Sequence, residues 1–74
     1  MNANDNIKAL DLLQERIKDS ITVYAAKGDD YRLELMVDAL MFNTIAREAL
    51  AVGDLDRAGR ALERAQARIK EASA

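Results

Sequence analysis

The chain contains no cysteine, histidine, proline or tryptophan. Without cysteine and histidine there are no disulfides, no thiol nucleophile, no usual zinc ligands and no usual general base. Of the two serines, Ser20 lies within a helical stretch and Ser73 near the end of the chain, and neither has a visible base partner. The expectation is a protein that is not an enzyme and that takes no cofactor and no metal. Aromatics are few, only Tyr24, Tyr31 and Phe42, so no basic stretch is interleaved with rings as in nucleic-acid binders. No apolar run approaches the roughly 18 residues of a membrane span. The opening MNANDNIK has no apolar signal core. With the missing cysteine, this predicts a cytoplasmic protein with no membrane partner.

What is present is a helical composition, rich in alanine, leucine, arginine and glutamate, in 74 residues of which half are hydrophobic. The length predicts a single small helical domain over residues 1–74. A domain this small buries only about 60% of the surface its unfolded chain exposes. With disulfides and metal gone, tight helix packing and self-association remain as stabilising devices.

Apolar spacing predicts three helices, at 5–27, 30–52 and 54–72. In the first, Ile7, Leu10, Leu13, Ile17, Ile21 and Tyr24 recur at steps of three and four, which is one helical face. Asn4 or Asp5 caps it and Gly28 ends it, with Asp29 or Asp30 capping the next helix. The second segment is apolar nearly all round, which predicts burial by more than one neighbour. Leu35, Met36, Met41, Phe42 and Leu50 are therefore its candidate self-association residues. The third carries Leu55, Ala58, Leu62, Ala65, Ile69 and Ala72 at heptad spacing, a seam on which alanines permit close approach. Val52-Gly53-Asp54 repeats the Gly28 solution, and Ala-x-Gly-Asp-x-x-Arg occurs at 26–32 and again at 51–57. The expectation is an all-α fold: a three-helix bundle, or a helical hairpin plus a third helix, that self-associates.

Phe42, Ile45, Ala46 and Ala49, followed by Ala58, Leu62 and Ala65, have the spacing of one tetratricopeptide repeat, and residues 42–69 resemble a single hairpin of that family. The resemblance implies protein or peptide binding rather than catalysis. It departs from the family at Ala49 and Leu62, where aromatics are usual, and at Lys70, where a proline closes the repeat. Thirty-four residues upstream the same pattern falls on Lys8, Asp11 and Glu15, so no second repeat follows.

Two charged rows stand out. Asp11, Glu15 and Asp19 share one side of the first helix; they read as a hard-cation site or as a solvated stripe, and one helix alone supplies too few ligands for a metal cage. Arg57, Arg60, Arg64 and Arg68 run along one side of the third helix and are the candidate partner-binding residues, since guanidinium forks grip carboxylates and phosphates. The expected function is a non-catalytic protein–protein interaction module, an adaptor, inhibitor or chaperone-like protein working through helix faces. Its partner is another protein or itself, with a homodimer favoured among oligomers. The alternative is a nucleic-acid- or nucleotide-binding regulator using the arginine ladder, against which the net charge of −2 argues.

Overall fold

The computed structural model describes residues 3–74, with side chains from Asp5 onward. Three antiparallel helices, α1 (Ala3–Lys27), α2 (Asp30–Ala51) and α3 (Leu55–Ala72), form an all-α three-helix bundle. α1 begins at Ala3, so Asn4 and Asp5 sit inside its first turn and not at its cap, which lies outside the described residues. The second helix closes at Ala51, one residue earlier than its spacing predicts, and Val52 caps it.

The two turns are built alike. Gly28 and Gly53 both take positive φ, 69° and 80°, a conformation that L side chains adopt only with strain. Each donates to a carbonyl three residues back, to Ala25 and Leu50, and the following aspartate donates five back, to Tyr24 and Ala49. This double closure satisfies carbonyls that the ending helix leaves open. Each aspartate then turns its carboxylate onto the next helix, accepting from Arg32 N–H and from Arg57 N–H at 3.2 Å in both cases. Asp29, not Asp30, is the cap of α2.

α2 is the central helix. Among the described residues no Cα of α1 comes within 8 Å of α3, whereas both approach α2. The seams differ in material. α1 meets α2 through large residues: Leu10 and Ile17 are buried, and Leu13, Ile21 and Tyr24 pack beside Met36 and Leu40. α3 meets α2 largely through alanines: Ala46 and Ala49 cluster with Ala58 and Ala61, Ala39 clusters with Ala72, and Ala65 is fully buried. Leu55 does not join the α3 seam. It is 68% exposed, and Ala61 takes a place the heptad does not give it.

α2 also keeps an outer face that its composition conceals. Val37 and Met41 are half-exposed there, beside Thr44 and Glu48. Of the five residues expected to drive self-association, Leu35, Met36 and Leu50 are instead buried inside the single chain. The two flanking helices already cover them. Met41 alone is exposed, and Phe42 is half-buried.

One polar side chain enters the core. Asn43 is fully buried, and its amide nitrogen donates to the Leu10 carbonyl at 3.0 Å. Its carboxamide oxygen has no partner among the described residues. A buried acceptor left unpaired costs about 1–3 kcal/mol.

Candidate interaction surface

The arginine ladder lies along the edge of α3 that faces α2. There Phe42, Ile45, Arg57, Arg60, Ala61 and Arg64 line a shallow cleft of about 220 Å³. The alanine seam sets this geometry, because it brings α3 close enough for guanidinium groups to reach across to α2. The four cations divide into two kinds. Arg68 is committed: it pairs with Asp38 at 3.7 Å and stands 5.9 Å from the centroid of the Phe42 ring. Arg64 stands at the same 5.9 Å from that ring. Phe42 and Asp38 thus offset the repulsion expected between like charges four residues apart. Arg57 and Arg60 are exposed and form no ion pair among the described residues.

The acidic row of α1 sits at the opposite edge of α2. Asp11 forms an ion pair with Arg47 of α2, and this contact holds the Arg47 guanidinium above its ordinary range. Glu15 stands 3.8 Å from Lys18, and Asp19 is exposed. Among the described residues no group of three acids, histidines or cysteines is gathered in a way that could hold a metal. Among the described residues no helix is long and apolar enough to cross a membrane.

Two further cations escape the sequence reading. Arg47 is isolated in the chain, and nothing near it announces that it meets α1. Arg32 has a signal, since it is the last residue of the first Ala-x-Gly-Asp-x-x-Arg motif. Its guanidinium bonds the Asp29 carboxylate at 2.9 Å, the Ala72 carbonyl at 2.8 Å and the main-chain oxygen of Ala74 at 2.9 Å. It therefore closes the carbonyl end of α3 from the start of α2. The hydrogen bond from Arg32 holds the Asp29 carboxyl below its ordinary value of 3.8.

A second concavity opens where α1 and α3 stay apart. It is apolar, about 320 Å³, and lined chiefly by Leu10, Leu50, Leu55, Ala58 and Leu62. Comparison with models of known protein families, with curated proteins and with solved structures gives no match to the chain.

Proposed function

We propose that this protein is a non-catalytic interaction module that holds an acidic segment of a protein partner in the cleft between α2 and α3. The observation that carries this reading is the trio Arg57, Arg60 and Arg64, aligned on one wall opposite Phe42 and Ile45, with Arg57 and Arg60 in no ion pair among the described residues. Carboxylates bind such guanidinium rows by paired hydrogen bonds, while the apolar wall takes a flanking side chain. The likeness of residues 42–69 to a tetratricopeptide-type hairpin supports peptide binding as well. The alternative, a nucleic-acid or nucleotide regulator, draws less support. Arg64 and Arg68 occupy the surroundings of the Phe42 ring, which leaves a base little room to stack, and the chain is acidic overall.

Fluorescence anisotropy with a labelled peptide of alternating Glu and Leu tests the reading. Arg60→Glu combined with Arg64→Glu is expected to weaken binding more than about tenfold, since like-charge contacts replace attraction. Helicity by circular dichroism should stay unchanged. Equal binding by both proteins would refute the assignment. Preferential binding of a single-stranded oligonucleotide of equal charge would favour the nucleic-acid alternative.

A further inference from the structure

The acidic row of α1 and the basic row of α3 match each other in spacing and in height, although they lie on opposite edges of α2. Asp11, Glu15 and Asp19 are separated by steps of four residues, as are Arg60, Arg64 and Arg68. Contacts on α2 fix their relative heights. Asp11 stands level with Arg47, while Asp38 and Phe42 stand level with Arg68 and Arg64. Counting along α2 between these marks places Asp11, Glu15 and Asp19 level with Arg60, Arg64 and Arg68. The match holds to within about one residue, or about 1.5 Å. α1 and α3 run in the same direction, so the match persists along both rows. Between the rows lies the outer face of α2, with Val37 49% and Met41 51% exposed.

We infer that a second copy of this chain occupies the cleft, its α1 laid against α3 by a two-fold axis running along the helices in front of α2. That operation keeps every height and exchanges the two edges, so each acidic row meets the partner's basic row twice over. Glu15 and Asp19 are free to do so. Glu15 is 70% exposed and only loosely paired, and Asp19 has no ion pair among the described residues. The apolar pair Val37 and Met41 supplies the centre and the charges its rim. This inference rests on the reading of the cleft as an acid-binding site. It adds that self-association and capture of another partner exclude one another.

Light scattering coupled to size exclusion, on the full chain over a dilution series, tests it. The unmodified chain is expected at twice the monomer mass, shifting toward monomer on dilution and with added salt. Glu15→Arg, and separately Arg64→Glu, two positions that the register sets level with each other, should each weaken the dimer more than about tenfold. Mixing the two variants one to one should restore a dimer, because both edge contacts then pair opposite charges. That restoration also shows that both variants fold. A monomer at every concentration would overturn the inference, as would a dimer indifferent to both charge reversals or variants that fail to recombine. If a monomeric chain still binds the acidic peptide, the dimer fails and the cleft's proposed function stands. If the dimer forms as expected but the peptide never competes with it, the cleft serves self-association alone.

Discussion

The two turns have the same backbone, the same glycine, the same capping aspartate and the same arginine three residues on, yet the arginines differ in fate. Arg32 bonds three oxygens, and Arg57 reaches into solvent at the mouth of a cleft. The cause is the odd number of helices. The first turn shares its end of the bundle with the last residues of α3, whose open groups are carbonyls. The second shares its end with the start of α1, whose open groups are N–H donors and whose dipole is positive. The guanidinium of Arg32 finds main-chain acceptors at the end of α3, whereas that of Arg57 makes no hydrogen bond or ion pair among the described residues. One local motif therefore yields a structural clamp or an available ligand, according to which helix terminus stands beside it.

The comparison extends to the seams, where the largest effects are expected. Ile17→Ala in the seam of large residues should cost about 2–5 kcal/mol by leaving a cavity. Ala65→Leu in the alanine seam should cost about 1–3 kcal/mol by overpacking. Chemical denaturation measures both. The second variant should also weaken acidic-peptide binding, because it pushes α3 away from Phe42, while a folded Ile17→Ala should bind normally. Equal effects of the two on binding would mean that the cleft does not depend on the alanine seam.

A smaller and symmetric effect is expected at the turns. Gly28→Ala and Gly53→Ala meet no neighbouring atom within 4 Å, so only the positive φ opposes them. Each should cost about 1–2 kcal/mol. A large difference between them in thermal denaturation would refute the equivalence of the two turns.

The smallest effect separates the arginines. Arg32→Ala should lose about 1 kcal/mol or less, since the side chain is partly exposed. Arg57→Ala should lose nearly none and should lower peptide binding instead. The Arg32 effect also carries a pH signature. Asp29 has its carboxyl held down in the folded state, so its contribution is complete above 3.8 and disappears as pH falls through the folded value. The melting-temperature gap between the unmodified chain and Arg32→Ala should narrow as pH drops below that point. A gap that stays constant with pH would leave only the bonds to α3 as the source of stability.

Much of the fold was legible because helical spacing and glycine-aspartate punctuation are local signals. All six residues of the α1 face are buried or half-buried. Leu55 misled because a heptad repeats every 3.5 residues and a straight helix every 3.6, and in a helix of five turns nothing compels supercoiling. Met36 and Leu50 misled because an apolar residue in a central helix reads the same whether its neighbour is the same chain or another. Of the site, the ladder was legible by its spacing. Its division into committed and open cations was not, because Asp38 and Phe42 meet it only through the hairpin. Asn43 went unnoticed because a polar residue is passed over in tracing an apolar stripe, although it follows Ala39 and precedes Ala46 on one face.

The Arg32 clamp has a consequence for the order in which the molecule comes apart. A terminal helical turn ordinarily frays alone, at almost no free-energy cost. Here the last turn of α3 is tied to the first turn of α2, 40 positions away in the chain. Fraying at one must break bonds at the other. The last turn of α3 thus gives up the Arg32 bonds when it opens, and its amides should exchange with solvent deuterium faster in Arg32→Ala than in the unmodified chain.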